Sequence, residues 1–332
     1  MKSIKLLLTA VILTTFSVYS LAQQQQPQPQ PQHDDETIRV ETNLVTLNIA
    51  VTDKNGNYVK GLQKKDFQIF DNNAEQAIDE FSAEEAPVAF GIVYDMHTAT
   101  GDRSANVLES LRKFTGELPA KDSFFVTVFN ERGSLTTDFV PTGAQIETAL
   151  TDAKPSTPNS LYDAIFAASG KIRERKNSKQ VLLVLTDGED HSSHHSLKEL
   201  RLHLRSVNLP IYTIAFHDEN RRQEWGYSDI HRNQGRRQTL GLTETNRLNQ
   251  AALAELSKTS GGQAFEREVQ SRLFIYAICK KIQAEVENQY VVGFYADNFD
   301  GKWHKLKVSV DGEKDKKLSL SNRKGYQSPA KK

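Results

Sequence analysis

Four short apolar runs punctuate the middle of the chain: Val88–Tyr94, Phe124–Phe129, Val181–Leu185 and Ile211–Phe216. They are continuous rather than alternating, the pattern of parallel strands covered on both faces. Helical spacing of apolar residues marks the segments between and after them: Ala105–Leu118, Leu161–Arg175, Leu197–Val207, Arg247–Lys258 and Arg272–Glu287. The fourth segment runs into Gly261-Gly262, a C-terminal stop. Strands and helices in alternation predict an α/β, Rossmann-like doubly wound sheet, mainly parallel.

The flanks follow a different period. In Thr37–Thr52, Val45, Leu47, Ile49 and Val51 fall on one face, and Asp53-Lys54-Asn55-Gly56-Asn57 follows with an Asn-Gly turn. Phe67–Phe70 and Ala77–Phe81 read as further short strands. Beyond the last helix, Tyr290–Tyr295 and Lys302–Val310 are strand-like, with Leu306, Val308 and Val310 alternating against lysines. Asp311-Gly312 offers a turn and Lys317–Leu320 a last strand. Neither flank carries enough apolar surface for a stable domain of its own. The expectation is that both pair into one small antiparallel β-sandwich, with the α/β domain inserted between them.

Met1 to Ala22 changes the compartment. Lys2 and Lys5 precede an apolar stretch from Leu6 to Val18, and Ser20-Leu21-Ala22 is a small-x-small cleavage site. This is the pattern of a secretory signal; an uncleaved anchor is the alternative, although the stretch is short for a span of about 20 residues. No cysteine follows Ala22 to accept a lipid. The expected organisation is signal peptide 1–22, Gln/Pro-rich spacer 23–36, sandwich 37–86 and 289–328, and α/β domain 87–288. The expected destination is the periplasm or the outside of the cell, with no stable membrane insertion after signal cleavage.

Composition removes several function classes. The 332 residues hold 42 Lys+Arg and 42 Asp+Glu; without Lys2 and Lys5 of the signal, the balance is 40 against 42. A near-neutral chain lacks the basic footprint of a general nucleic-acid binder. Cys279 is the single cysteine, so a disulfide within the chain, a cysteine zinc site and an iron–sulfur cluster are excluded.

The strand ends hold the candidate chemistry. Two apolar strands end on aspartate, at Tyr94-Asp95 and Thr186-Asp187, and the second opens Asp187-Gly188-Glu189-Asp190. Asp95 is followed by Met96-His97-Thr98-Ala99-Thr100, and a third loop, Thr157-Pro158-Asn159-Ser160, leads into a helix. Ligands of open α/β sheets bind beyond the carboxyl ends of the strands. Carboxylate, hydroxyl and amide oxygens converging there suit a hard divalent cation. The same residue types are also ordinary strand-end and N-cap residues.

The strand Phe90–Asp95, the loop before Leu161-Tyr162-Asp163-Ala164, and Leu185-Thr186-Asp187-Gly188-Glu189-Asp190 resemble the three loops of the metal-ion-dependent adhesion site in von Willebrand factor type A domains. The flanks add to the likeness. Asn43-Leu44-Val45 through Val51-Thr52-Asp53, Gly61-Leu62 with Asp66-Phe67, and Gln289-Tyr290-Val291-Val292-Gly293-Phe294 with Arg323-Lys324-Gly325-Tyr326 resemble an exported bacterial family related to those domains. The resemblance spans roughly residues 37 to 328.

It implies a protein-interaction module in which a metal ion, held by Asp-x-Ser-x-Ser, a Thr and an Asp, completes its coordination with a partner's carboxylate. Asp95 and Asp187 match that pattern, but the serine positions fall on His97 and Ala99 and the threonine position on Asn159. Ala99 offers no donor, and the imidazole of His97 suits transition metals better than Mg²⁺. A one-residue shift onto Thr98 and Thr100 would strain the spacing from Asp95. The implied metal residues are therefore Asp95, Asn159 and Asp187, in a degraded site with no cofactor or with weakly bound Mg²⁺ or Mn²⁺. The partner-binding crest comprises those residues with His97, Thr98 and Asp190.

Other signals are weaker. His191, His194 and His195 with Asp190 have metal-ligand chemistry, or form a solvated loop before a helix capped by Ser196. The insert Asp218–Thr245 mixes Arg221, Arg222, Arg232, Arg236 and Arg237 with acids, and carries Trp225 and Tyr227 as contact or disordered residues. No Gly-x-Ser-x-Gly elbow, phosphate loop, dinucleotide fingerprint or His-Glu-x-x-His occurs. The expectation is a non-enzymatic, exported interaction module with a protein partner in the envelope or outside the cell. An extracytoplasmic hydrolase using the same crest is the alternative.

Overall fold

The computed structural model describes residues 43–96, 102–130, 133–140, 146, 160–176, 179–190, 192–215, 249–266, 274–311 and 317–331. They lie within one compact unit, Thr42–Lys332. Among the described residues, the α-helices are α1 Asp102–Gly116, α2 Leu161–Ile172, α3 Leu197–Ser206, α4 over 249–260, and α5 Phe274–Glu287.

The central sheet has the strand order β10-β9-β8-β5-β6-β7. Its members are β5 Val88–Asp95, β6 Ser123–Asn130, β7 Gly133–Thr136, β8 Lys179–Thr186, β9 Ile211–Ala215 and β10 Ala264–Glu266. All neighbours run parallel except β7, which returns antiparallel along β6. Every residue of β5 is buried, as its unbroken apolar run requires. Alternate residues serve opposite faces: Phe90, Ile92 and Tyr94 pack with Val107, Leu111 and Phe114 of α1 and Ile275 and Ile282 of α5. Ala89 and Val93 face Ile165, Leu200 and Leu253, on α2, α3 and α4. The sheet is thus doubly wound.

The flanks form two further sheets, ordered β13-β1-β11-β4 and β14-β12-β2-β3. The strands are β1 Asn43–Thr52, β2 Phe67–Asp71, β3 Ala74–Gln76, β4 Glu80–Ser82, β11 Tyr290–Ala296, β12 Trp303–Val310, β13 Ser319–Ser321 and β14 Gly325–Gln327. In each sheet an amino-terminal strand pairs antiparallel with a carboxy-terminal one: β1 with β11, and β2 with β12. Val45, Leu47, Ile49 and Val51 share a core with Phe67, Ile69, Val292, Phe294, Leu306 and Val310. Antiparallel sheets with one buried face need this alternation.

Two features depart from the sequence reading. The stretch expected as one strand at Ala77–Phe81 is split: β3 ends at Gln76 and pairs with β2, while β4 begins at Glu80 and pairs with β11 in the other sheet. The chain crosses between layers there, so no single strand can form. Strands β7, β10 and β14, of three or four residues at sheet edges, were not expected, because so short a run has no period to read.

The two layers are tied at the base of β8. Lys179 is buried and its Nζ donates to the carbonyls of Glu287 (3.0 Å) and Gln289 (2.8 Å), at the end of α5 and just before β11. Burial, with the charge of Lys121 beside it, pushes this ammonium down to about 8 against the opposing charges of Glu287 and Glu85.

Candidate functional site

The crest begins where β5 and β8 end. The parallel register sets Tyr94 against Leu185, so Asp95 comes to rest beside Thr186. Both side chains are 0% exposed, and the Thr186 hydroxyl donates to Asp95 Oδ2 at 2.9 Å. That hydroxyl oxygen in turn accepts the Gly188 amide at 3.0 Å. Gly188 has φ +86°, and a Cβ there would stand 3.0 Å from Leu253 and 3.1 Å from Asn249. Glycine therefore lets the loop leave the strand sharply over α4.

Asp187 is half-buried, and its Oδ1 accepts the Glu189 amide at 2.9 Å, closing a small turn within its own loop. Asp190 reaches the start of α2: its Oδ1 accepts the Tyr162 amide (3.2 Å) and the Ser193 hydroxyl (2.6 Å). A carboxylate among the unpaired amides of a first helical turn is favoured by the helix dipole.

Asp163 reciprocates from α2. Its own amide donates to Ser193 Oγ at 3.1 Å. Its two oxygens accept the amides of His194 and His195 (2.9 and 3.0 Å) and meet both Nδ1 atoms (3.0 and 2.6 Å). Burial alone would raise this carboxyl, but the four contacts hold it well below the ordinary carboxylate range. The loop from Asp187 to Ser196 is thereby stapled to α2. Ser196 then caps α3, accepting the Glu199 amide while Glu199 returns to the Ser196 amide.

The histidines belong to this staple. His195 stacks on Phe166 at 4.2 Å between ring centres, and His203 stacks on Phe166 at 4.1 Å. His203 Nε2 lies 2.7 Å from Ser169 Oγ, and Ser169 also donates to the Phe166 carbonyl at 2.7 Å. Ser169 is fully buried. A serine so buried is not reachable as a nucleophile.

Of the residues singled out from sequence, Asp95, Asp187 and Asp190 are brought to one edge of the sheet. His97, Thr98 and Asn159 lie outside the described residues, as do His191 and the insert 218–245. Thr186, Asp163 and Ser193 had no assigned role. Thr186 reads as an ordinary strand residue, and Asp163 as a first-turn acid, until the register places them. Cys279 is buried in the core, where burial pushes its thiol up to about 12.

The donor set fits a divalent cation poorly. One oxygen of Asp95 is taken by Thr186 and one of Asp187 by the Glu189 amide. The positions that supply hydroxyls in the adhesion-site pattern are His97 and Ala99. Mg²⁺ needs near-octahedral oxygen coordination, which two carboxylates and an amide leave half unfilled. Among the described residues, no group of three His, Cys, Asp or Glu is placed to share an ion.

No protein-family model matches the chain, and no curated protein does. Solved structures do show likenesses. An aerotolerance-related membrane protein from Bacteroides fragilis is 16% identical, with a TM-score of 0.41, over 60% of this chain and 98% of its own. Proximal thread matrix protein 1 from the mussel byssus, described with a zinc-occupied adhesion-site motif, is 14% identical, with a TM-score of 0.43, over 66% and 50%. A von Willebrand factor type A protein from Catenulispora acidiphila is 8% identical, with a TM-score of 0.44, over 89% and 76%.

Proposed function

We propose that this chain, whose doubly wound domain has the von Willebrand factor type A architecture, is an exported protein-interaction module. Its partner is a protein of the cell envelope or the exterior, docking on the crest formed by Asp187 and Asp190 with His97, Thr98 and Asn159. Asp95 lies beneath and supports the crest through Thr186. The observation that carries this reading is the stapled loop: Asp187 and Asp190 are held by neighbouring amides and hydroxyls at the carboxyl edge of a parallel sheet. Such pre-organisation lowers the ordering cost of docking.

Metal dependence is weak or absent in this reading, because the donor set falls short of a hard cation's needs. If an ion were bound, Asp95, Asp187 and Asn159 would hold it, and it would supply a positive charge for a partner's carboxylate. Export rests on the segment 1–22. Among the described residues, no helix is long and apolar enough to cross a membrane.

The test is capture from an envelope extract by the exported chain, with and without chelator, beside calorimetric titration with Mg²⁺ and Mn²⁺. We expect capture that survives chelation and is lost in Asp187→Ala, with no micromolar metal uptake. Micromolar uptake abolished by Asp187→Ala would refute the degraded site. Capture indifferent to Asp187→Ala would refute the crest, and turnover of ester or phosphate substrates sensitive to it would favour a hydrolase.

A further inference from the structure

A second surface lies on the outer face of the sandwich. A cleft of about 560 Å³ is lined by Asn72, Asn73, Trp303, Lys305, Leu306, Lys307 and Lys324. Trp303, Lys305 and Lys307 alternate along β12 and so project to the same side, about 7 Å apart. Lys324 joins them at the start of β14, where Gly325 pairs with Lys305.

The frame around the cleft is held by backbone hydrogen bonds. Asn72 and Asn73 turn the chain between β2 and β3 with φ of 47° and 73°. The Asn72 amide donates to the Lys305 carbonyl, and the Lys305 amide returns to Asn72 Oδ1 at 3.0 Å. The Leu306 amide donates to the Lys324 carbonyl at 2.9 Å. A Cβ on Gly325 would come within 2.4 Å of the Trp303 ring, so glycine is what allows the indole to lie across β14. The Arg205 guanidinium stands 4.8 Å over the same ring, from α3.

The cleft carries a concentration of positive charge. Ion pairs with acids lie elsewhere: Lys171 pairs with Asp138 and Glu174, Lys121 with Glu85, and Arg201 with Glu255. Lys305, Lys307 and Lys324 are exposed and, among the described residues, make no ion pair. The register brings Glu75 to this face opposite Phe70, two strands from Lys307, at about 10 Å. Lys307 Nζ stands 5.7 Å over the Phe70 ring, a contact that leaves its charge in place. In a chain whose charges balance overall, three ammonium groups without an acid partner around one concavity mark a surface suited to a negative ligand.

We propose that this cleft docks an extended acidic segment of a partner protein, its carboxylates against Lys305, Lys307 and Lys324 and its apolar part against Trp303. An extended segment repeats its side chains on one face every 6.8 Å or so, matching the spacing along β12. A phosphate group is better served by convergent guanidinium forks or backbone amides. Here the amides of Asn72, Lys305 and Leu306 are already consumed by the frame. This surface does not depend on the crest.

A fluorescein-labelled eight-residue peptide alternating Glu with Thr, titrated against the exported chain by anisotropy at low salt, is the direct assay. We expect saturable binding that weakens as salt rises, and a Gln-for-Glu peptide that binds about tenfold less or worse. K305Q/K307Q/K324Q should lose about tenfold or more in affinity while melting like the parent, whereas K60Q/K64Q/K65Q, with the same charge change, and Asp187→Ala should bind as before. No saturable binding, equal binding by the cleft variant, or equal loss in the control variant overturns the proposal. Inorganic tripolyphosphate binding more tightly than the peptide, and displacing it, would reassign the cleft to phosphate.

Discussion

Thr186→Val tests the physical basis of the crest. The substitution keeps the shape of the side chain and removes its hydroxyl, which donates to Asp95 Oδ2 at 2.9 Å and accepts the Gly188 amide at 3.0 Å. Both Thr186 and Asp95 are 0% exposed, and Gly188 is buried, so no bulk water replaces the lost group. A hydrogen bond to a buried charged group contributes about 1.5–3 kcal/mol, and an orphaned buried amide costs about 1–3 kcal/mol. Relief of the hydroxyl's own desolvation offsets part of this, leaving a net loss of roughly 2–4 kcal/mol. For a unit spanning Thr42–Lys332, with an unfolding entropy of about 2.1 cal/mol/K per residue, that lowers Tm by roughly 3–7 °C.

Thr186→Ser is the control, since it keeps both bonds and forfeits one methyl group, about 1 kcal/mol. Urea unfolding of both variants, alone and combined with Asp95→Ala, yields the coupling between the two side chains. We expect a coupling of about 1.5–3 kcal/mol for Val and close to none for Ser. A Val variant as stable as the Ser variant would show that Thr186 does not hold Asp95, and the crest would lose its support.

Two further outcomes follow from the same geometry. Asp163 is held well below the ordinary carboxylate range by His194 and His195, against the opposing effect of burial, whereas in the unfolded chain it titrates near 3.9. Its stabilising contribution is therefore complete above about pH 4 and fades as pH falls toward its folded value. The stability gap between wild type and Asp163→Asn, measured by denaturant unfolding across pH 2–7, should narrow on the acid side; a gap independent of pH would contradict the staple. Cys279, buried and raised to about 12, should resist a thiol reagent at pH 8 in the folded chain and react fully in denaturant. Rapid reaction without denaturant would mean that the packing between α5 and the sheet opens readily.

What the amino-acid order settled by itself was the kind and period of each longer element. The unbroken run Val88–Asp95 is buried along its whole length because a central parallel strand has apolar matter on both sides. Val45, Leu47, Ile49 and Val51 share a core because a half-buried strand shows its side chains alternately. The acids at the ends of β5 and β8 were legible for the same reason, since a polar residue closing an apolar strand must emerge at the sheet's edge.

Tertiary structure decided partnership. Nothing local says that Asn43 pairs with Ala296, that the stretch near Ile78 changes layers, or that Thr186 is the donor to Asp95. Those are contacts across tens to hundreds of residues, chosen by which faces can be buried together. The basic cleft divides in the same way. Alternating lysines on β12 are visible in the sequence, but their meeting with Lys324 over an indole seated on Gly325 exists only once two distant strands have been laid side by side.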